Sequence, residues 1–217
     1  MFELAHAVRD GMVTYPGLPG PIICDFLSRE ASRGRYALGT EFQIGRIELV
    51  SNTGTYVDTP FHRYADGDDL ARQPLGPLAG RPALVVRPGP ADGAPIGPEA
   101  FAGLDVRDRA VLVQTDWDRH WGSDTYLSGG HPFLTRAAAE WLRDAGAAVV
   151  GIDGLNIDAI DDMARPVHTV LLGAGIPIVE HMTGLAALPA EGTRFYAVPP
   201  PIAGMGTFPV RAFATTG

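Results

Sequence analysis

The sequence predicts an α/β domain. Four short apolar runs, each rich in β-branched residues and suited to an interior strand, alternate with helix-like or turn-rich segments: Pro82 to Arg87, Ala110 to Thr115, Ala147 to Asp153, and Ile176 to Glu180. Alternation of this kind is typical of an α/β fold. With 217 residues, the chain has the length of a single domain over residues 1–217 and is large enough to bury a core.

The first part of the chain is predicted to hold a short strand, turns and an irregular segment. Phe2 to His6 has the pattern of a short strand, and Tyr15-Pro16-Gly17 is a turn signal. Residues 17 to 45 are rich in Gly, Pro and polar groups and lack helical periodicity, so they could form a β-meander or a flap. Ile47 to Val50 then has the pattern of a strand.

Two helices are predicted in the second part of the chain. Thr135 is suited to an N-cap, the residues after it are strong helix formers, and Gly146 is suited to the end of that helix. Pro166 is suited to the first turn of a second helix, whose apolar face continues through Leu172. Gly173-Ala174-Gly175 lacks the third glycine of a dinucleotide-binding loop, and the end of this helix explains it better.

The composition excludes several functional classes. The formal net charge of −8 argues against a nucleic-acid partner, which would require a basic patch. All 17 basic residues are Arg, and a chain without Lys can form neither a Schiff base with pyridoxal phosphate nor a P-loop. We therefore expect no nucleotide and no pyridoxal phosphate cofactor.

The sequence also predicts a cytoplasmic protein without a membrane partner. Gly, Pro or charged residues interrupt every apolar run before it reaches membrane-spanning length. The residues from Met1 to Leu4 have neither the basic region nor the apolar core of a secretory signal. The single cysteine, Cys24, excludes an internal disulfide and a zinc cluster built on cysteines.

The stretch from Asn52 to His62 contains the first candidate site. If the chain stays extended after Val50, side chains two positions apart share one face, which places Asn52, Tyr56, Asp58 and His62 together. An Asp and a His at the mouth of a strand could bind a metal or relay a proton. A surface loop with turn-forming Gly, Asp and Pro is the alternative interpretation.

A second group of candidates lies near the end of the chain. Glu180 ends an apolar strand, where a carboxylate is costly to bury unless it is paired or bound to a metal. The alternative is that Glu180 reaches solvent in the next loop. His168 lies on the second predicted helix, one turn before its apolar residues.

A loop between the second strand and the first helix carries several aromatic residues. Trp117, Trp121 and Tyr126 could form one wall of an aromatic pocket, or they could pack at a subunit interface. His6 could also line a pocket, although a structural role is the alternative.

The stretch Asn52-Thr-Gly-Thr-Tyr-Val-Asp-Thr-Pro-Phe-His62 resembles the signature His-x-Gly-(Thr/Ala)-His-x-Asp-x-Pro-x-His. That signature marks the metal-dependent cyclase/hydrolase family that includes bacterial kynurenine formamidase and isatin hydrolase. Asn52 and Tyr56 stand where the family usually has histidines. The segments Pro166 to His168 and Leu171 to Glu180 also resemble the family. The resemblance covers nearly the whole chain and implies a β-rich α/β domain of the swivelling β/β/α type, assembled as a homodimer or homotetramer.

The resemblance also implies a site and a reaction. Asp58, His168 and Glu180 would bind one divalent metal, zinc or manganese, and His62 would act as acid and base. Asn52 and Tyr56 are poor metal ligands, so we expect a single metal. The expected reaction is hydrolysis of a small amide, lactam or ester. Tyr56 would donate a hydrogen bond to the oxyanion, and a partly aromatic small-molecule substrate would contact Asn52, Trp117, Trp121 and Tyr126.

Two alternatives stay open. A metal-independent cyclase, dehydratase or isomerase could use Tyr56, Asp58, His62 and Glu180 as an acid–base set. A non-catalytic binding protein could instead keep the pocket alone. Metal content and sensitivity to chelation distinguish the first alternative from the metal-dependent hydrolase.

Overall fold

A computed structural model describes residues 1–89 and 93–216. The described strands are β1 (Phe2–Glu3), β2 (Ile22–Leu27), β3 (Ile44–Glu48), β4 (Tyr56–Asp58), β5 (Ala79–Val86), β6 (Pro95–Ile96), β7 (Ala110–Val113), β8 (Phe133–Leu134), β9 (Val149–Ile152), β10 (Ile178–Glu180), β11 (Thr193–Tyr196), β12 (Thr207–Pro209) and β13 (Phe213–Thr216). The described α-helices are α1 (Arg29–Ser32), α2 (Asp124–Leu127), α3 (Arg136–Ala145) and α4 (Pro166–Gly173). None of the helices in these two ranges combines the length and the apolar character that a bilayer crossing needs.

Most of the strands belong to one large mixed sheet. Its order is β1-β13-β11-β5-β7-β9-β10-β4-β12. Strands β5, β7, β9 and β10 are parallel and lie in the interior, and they coincide with the four apolar runs. Antiparallel strands flank them on both sides. The α/β class predicted from the alternating runs is confirmed.

The interior strands are buried on both faces. Along β7, Val111 and Val113 pack into a cluster with side chains of the helices, such as Leu142. Leu112 points to the opposite face and packs in a cluster with Phe195. Because side chains alternate along a strand, continuous apolar runs such as β7 fill both clusters. The core therefore holds the parallel strands rigidly beneath the loops that follow them.

Both predicted helices are confirmed, including their ends. The Thr135 hydroxyl accepts a hydrogen bond from the Ala138 amide, which caps α3. Gly146 adopts φ 84°, a left-handed conformation that favours glycine, and ends the same helix. Pro166 opens α4, where the missing proline N–H removes no helical hydrogen bond.

The chain does not stay extended from Val50 to His62, so the condition under which Asn52, Tyr56, Asp58 and His62 share one face is not met. β3 ends at Glu48, the chain then bends, and Gly54 adopts φ 67°. Only Tyr56–Asp58 is a strand, and Pro60–His62 forms a short 3-10 helix because Pro60 has no N–H for the ladder. A Cβ on Gly54 would lie 3.0 Å from the Val8 Cγ2 atom, so glycine serves both the turn and a close approach.

Residues 17–45 contain most of an antiparallel hairpin rather than a meander. β2 pairs with β3, with Ile23 opposite Ile47. Both faces of the hairpin are exposed, and apolar side chains such as Phe26 (76% exposed) and Ile47 (54%) face solvent. This hairpin is separate from the large sheet among the described residues.

Candidate active site

The register of three neighbouring strands assembles the first part of the site. Tyr56 on β4 lies directly opposite Glu180 on β10, and Asp58 lies directly opposite Thr207 on β12. Residues directly opposite each other in an antiparallel pair have side chains in contact. Accordingly, the Tyr56 hydroxyl donates to Glu180 Oε2 at 2.6 Å, and the Thr207 hydroxyl donates to Asp58 Oδ1. Tyr56, Asp58, Glu180 and Thr207 are all buried.

Helix α4 brings His168 to the same place, and Asp158 fixes its orientation. The Asp158 carboxylate accepts hydrogen bonds from the amides of Val167 and His168 at 2.7 and 3.1 Å. It also contacts His168 Nδ1 at 2.6 Å. His168 Nε2 is thereby directed at two carboxylates, 3.6 Å from Asp58 Oδ2 and 3.7 Å from Glu180 Oε1.

His62 lies at the mouth of the site in a defined tautomer. Its Nδ1 atom is 2.8 Å from the Thr207 hydroxyl oxygen. The single proton of that hydroxyl is donated to Asp58, so the oxygen must accept from Nδ1–H of His62. The neutral imidazole therefore carries its lone pair on Nε2. Since the His62 side chain is 36% exposed, this nitrogen is available as a base.

Burial and the charges of neighbouring side chains shift the pKa values of these groups. Burial disfavours a charged imidazole, but the hydrogen bond to Asp158 and the nearby carboxylates outweigh it and raise the pKa of His168 to about 10. Burial also opposes ionisation of Asp58, yet His62 and His168 hold the pKa of this carboxyl below its usual value. Burial raises the pKa of Glu180. Asp58 is consequently the firmly ionised carboxylate of the group.

A cavity of about 280 Å³ opens beside these residues. His62, His168, Glu180 and Tyr56 form its polar wall, and Tyr15 and Leu18 contribute apolar surface. The volume is at the small end of the range for ligand pockets, which suits a ligand of about one ring.

The donor atoms fit a divalent metal. Asp58 Oδ2 is buried and has no hydrogen-bond partner among the described residues. An unpartnered carboxylate oxygen that faces an imidazole nitrogen and a second carboxylate is costly without a cation. A histidine whose other ring nitrogen bonds to a carboxylate is the usual arrangement of a metal ligand. The ligand atoms of Asp58, His62 and His168 lie within 4.8 Å of one another. Glu180 is not in that group, and its two oxygens already accept hydrogen bonds, Oε1 from the Ile157 amide and Oε2 from Tyr56, both at 2.6 Å.

The two residues that replace the usual histidines have different surroundings. Burial and the Glu180 carboxylate raise the pKa of Tyr56 well above its usual value, so its hydroxyl stays protonated and bonded to Glu180. The predicted hydrogen bond from Tyr56 to an oxyanion would thus compete with an existing bond. Asn52 lines the cavity, and its side-chain oxygen accepts from the Ser51 hydroxyl.

The aromatic side chains that were expected to contact the substrate do not line this cavity. Trp117 is buried and donates from Nε1 to the Tyr126 carbonyl oxygen at 3.3 Å. Trp121 stacks on His6, with ring centroids 3.7 Å apart. The Tyr126 hydroxyl lies 2.8 Å from Nδ1 of the buried His181. Trp117, Trp121 and Tyr126 are absent from the described lining of the cavity beside His168.

Sequence reasoning missed several residues that the structure brings to the site. Asp158 lies eight residues before Pro166, so no local capping pattern marks it in the sequence, and only the fold brings it to the start of α4. Thr207 gives no signal in the sequence, because only the register of β12 places it opposite Asp58. Arg63 and Arg165 both line the cavity, and the resemblance assigns no role to either.

Comparisons with known proteins identify the family of this chain and a solved structure of the same fold. Residues 2–159 match the sequence profile of a family described as putative cyclase. Kynurenine formamidase from Salinibacter ruber is 31% identical over 174 residues, which cover 78% of each chain. Kynurenine formamidase from Maricaulis maris is 25% identical and covers 98% of this chain and 96% of that protein. Isatin hydrolase A from Labrenzia aggregata, bound to benzyl benzoate, has the same fold, with a TM-score of 0.84 at 22% identity over 99% of this chain and 92% of its own.

Proposed function

Because this chain belongs to the putative cyclase family, we propose that it is a metal-dependent hydrolase that cleaves the C–N bond of a small amide or lactam, or the corresponding ester. The buried oxygen of Asp58 carries the proposal, since it has no partner among the described residues and faces His168 Nε2 at 3.6 Å. The relatives described as kynurenine formamidases support an amide as the substrate.

Asp58, His168 and Glu180 would hold a single divalent metal. One imidazole and two carboxylates suit zinc or manganese. The metal supplies Lewis acidity toward the scissile carbonyl when it is bound. Tyr56 keeps Glu180 in place through its 2.6 Å hydrogen bond, and Asp158 keeps His168 in place through Nδ1.

His62 moves the proton in this proposal. His62 lines the cavity and carries its lone pair on Nε2, so it can accept a proton from the attacking water. The resulting imidazolium can then return this proton to the leaving nitrogen. Thr207 connects His62 to the ionised Asp58, which stabilises the imidazolium.

Metal content and chelation test the proposal. Untagged protein purified without chelators should carry about one equivalent of zinc or manganese, as a three-ligand site with an open position does. Glu180→Gln should reduce both metal content and turnover of formanilide. Glu140→Gln is the matched control, because Glu140 is a half-exposed carboxylate of α3 that is paired with Arg136, away from the cavity. Plasma mass spectrometry measures the metal content, and initial rates measure the turnover. Turnover that survives exhaustive chelation would contradict the proposal and support the metal-independent acid–base enzyme.

We also propose that the partner in catalysis is a small molecule and that the enzyme acts in the cytoplasm. The small volume of the cavity supports a small substrate. The net charge of −8 disfavours nucleic acid. The single cysteine, Cys24, suits a reducing compartment because the chain can form no internal disulfide.

We also propose that the chain assembles with copies of itself. The assembly is a homodimer, or a homotetramer built from two such dimers. A two-stranded hairpin is marginally stable alone in water, yet β2 and β3 expose both faces with Ile22, Phe26, Ile44 and Ile47. A monomer rarely exposes an apolar surface of this extent. A twofold axis would let each hairpin cover the other copy with an identical surface.

The mass of the assembly in solution tests this surface. The wild type should elute with the mass of at least two chains in size-exclusion chromatography with light scattering. The double substitution Phe26→Ser and Ile47→Ser should yield a monomer, because it removes apolar area from both strands of the hairpin. Leu75→Ser removes an apolar side chain that is exposed to a similar degree outside the hairpin and should leave the mass unchanged. A monomeric wild type would contradict the proposal.

A further inference from the structure

One turn near the start of the chain places two side chains on the wall of the cavity beside His168. Pro16 and Gly17 form the centre of this turn. A hydrogen bond of 3.2 Å from the Leu18 amide to the Tyr15 carbonyl oxygen closes it. Gly17 adopts φ 83°, as the third residue of a type II turn requires. Tyr15 and Leu18 both line the cavity, so the turn brings a phenol to the candidate active site.

A buried threonine holds this turn in place. Thr14 is buried, and its hydroxyl oxygen accepts a hydrogen bond from the Gly54 amide at 3.2 Å. The two ends of the loop are also joined, because the Gly11 amide donates to the Pro21 carbonyl oxygen at 2.8 Å. The loop that carries Tyr15 is thus tied to the turn before β4, which fixes the position of the phenol before a ligand binds.

The hydroxyl oxygen of Tyr15 faces two groups that donate hydrogen bonds. Arg165 Nη2 lies 3.5 Å from this oxygen, and a guanidinium has no acceptor. The side-chain amide of Asn156 also reaches the hydroxyl. The oxygen of that amide accepts from the Asp158 N–H at 2.9 Å, so its NH₂ group is the part that faces Tyr15. The Tyr15 oxygen is therefore an acceptor for these groups, and its own proton points elsewhere.

The Tyr15 hydroxyl donates to no acceptor among the described residues. Burial raises the pKa of Tyr15 and the Arg165 guanidinium offsets this only in part, so the hydroxyl keeps its proton at neutral pH. The nearby carboxylate of Glu180 already accepts at both oxygens, from Ile157 and Tyr56. An O–H group that is partly buried without an acceptor is unfavourable. A ligand oxygen in the cavity would supply the missing acceptor.

The reaction proposed for this cavity needs a donor of this kind. When water adds to an amide carbonyl, the π electrons of the C=O bond move onto the oxygen, and they return when the C–N bond breaks. Hydrogen bonds aimed at that oxygen stabilise the transition state. Tyr56 is the residue predicted for this role, but its hydroxyl is bonded to Glu180 at 2.6 Å. Tyr15 lines the same cavity, and no described residue accepts its proton.

We propose that Tyr15 is a catalytic residue, whose hydroxyl donates a hydrogen bond to the carbonyl oxygen of the substrate and stabilises the negative charge that forms there. The proposal rests on the proposed amide hydrolysis and adds a residue to its mechanism. Tyr15 keeps its proton throughout, so His62 is still the group that carries the proton from water to the leaving nitrogen. The N–H groups of Arg165 and Asn156 occupy the phenol oxygen and leave its O–H to the cavity.

Removal of the hydroxyl tests the catalytic role. Tyr15→Phe keeps the ring, and its kcat for formanilide should fall by about 10- to 100-fold, the range expected for a hydrogen bond to a charged group. KM and metal content should stay near the wild-type values, because the bond strengthens only as charge develops. Tyr196→Phe is the matched control, because Tyr196 is a half-buried tyrosine that stacks on Phe213 and is absent from the described lining of the cavity. It should keep the wild-type kcat. An unchanged kcat in Tyr15→Phe overturns the proposal.

A sulfur analogue separates a hydrogen bond to the carbonyl from a structural effect. Thioformanilide differs from formanilide only in its C=S group, and sulfur is a weak hydrogen-bond acceptor. The ratio of kcat/KM for formanilide to kcat/KM for thioformanilide should be about 10-fold smaller in Tyr15→Phe than in the wild type. A structural defect would lower both rates alike and leave this ratio unchanged. If Tyr15→Phe does not fold, Tyr15→Leu replaces it, and an unchanged ratio in the folded variant overturns the proposal.

A spectroscopic measurement keeps the proposal separate from turnover. Acetophenone has a ring and a carbonyl group but no bond that the enzyme could hydrolyse. Infrared difference spectra should place the carbonyl stretch of isotopically labelled acetophenone at a lower frequency in the wild type than in Tyr15→Phe, because a hydrogen bond weakens the C=O bond. If no amide is hydrolysed but this difference is present, the proposed reaction fails while the carbonyl donor stands. Equal frequencies in the two proteins overturn the role of Tyr15.

Discussion

At the scale of single residues, the carboxylate of Asp158 has two structural roles. It accepts from the first amides of α4 and from His168 Nδ1. The first role stabilises the helix end through its unpaired N–H groups, and the second sets the direction of the imidazole. The orientation of His168 and the start of α4 therefore depend on the same side chain.

Asp158→Asn should impair both roles. The amide has one oxygen in place of two, so it cannot accept all three hydrogen bonds, and its NH₂ group would face either an amide N–H or the imidazole. We expect metal affinity and kcat/KM to fall by about 10- to 100-fold, as for other groups that orient a metal-binding histidine. Unfolding in urea should show a loss of about 1–3 kcal/mol. Asp162→Asn is the control, because this exposed carboxylate of the same loop bonds only to the Ala164 amide among the described residues. Unchanged metal affinity in Asp158→Asn would contradict the orienting role.

The sequence predicts the site at this scale only in part. The motif and its resemblance predict Asp58, His62, His168 and Glu180, and the structure brings these four side chains together beside one cavity. Thr207 could not be predicted, since its contact with Asp58 depends on the pairing of β12 with β4. Likewise, the bond from Tyr56 to Glu180 follows from their register across β4 and β10, which no local pattern encodes.

At the scale of elements, the turn before β4 decides where the site residues point. Gly54 lies two residues before Tyr56, adopts φ 67°, and approaches the Val8 side chain. The turn lets Thr55 accept from the His6 amide while Tyr56 begins the strand. The position of β4 in the sheet is thus linked to the N-terminal segment.

Gly54→Ala should destabilise the protein more than a matched glycine substitution. Gly175 has a similar φ of 74° but open space around its Cβ position. Both variants should lose about 1–2 kcal/mol from the left-handed conformation. Gly54→Ala should lose more because its Cβ would lie 3.0 Å from Val8 Cγ2. Urea unfolding of both variants measures the difference, and equal losses would show that the contact with Val8 carries no cost.

Elements were predictable where local signals and burial agree. The four parallel strands and both ends of α3 follow from apolar runs and caps. The shared face of Asn52 to His62 does not follow from sequence spacing, because such spacing requires a continuous strand and Gly54 and Pro60 interrupt it. The β2–β3 hairpin had no alternating pattern to reveal it, because both of its faces are exposed.

At the scale of the whole molecule, several histidines are kept neutral by the fold. Burial lowers the pKa of His6 to about 4, although Asp118 acts in the opposite direction. Burial lowers the pKa of His131 as well. The ring nitrogens His6 Nε2 and His131 Nδ1 are buried without hydrogen-bond partners among the described residues. Protonation of these rings favours the unfolded chain, where the charge is solvated.

The contribution of His6 to the stability of the folded protein should therefore fall as the pH falls from about 6.5 to 4. In this window the unfolded His6 binds a proton and the folded His6 does not, so the unfolded state gains. His6→Phe keeps an aromatic ring against Trp121 and removes the titration. When the pH is lowered from 7.5 to 4.5, the urea midpoint of His6→Phe should shift toward higher urea relative to the shift of the wild type, because the variant lacks the destabilising term of His6. An equal shift in both proteins would contradict the neutral state of His6.

The pairing across β10, β4 and β12 also determines when the site can form during folding. Tyr56 and Glu180 are 124 residues apart in sequence, and Asp58 and Thr207 are 149 residues apart. Contacts of such sequence separation form slowly, because the intervening chain must first be ordered. A nascent chain that has emerged only as far as β11 holds the whole motif around Asp58 but lacks the strand that carries Thr207. Turnover in a refolding experiment would thus appear last and would report the completion of the native sheet.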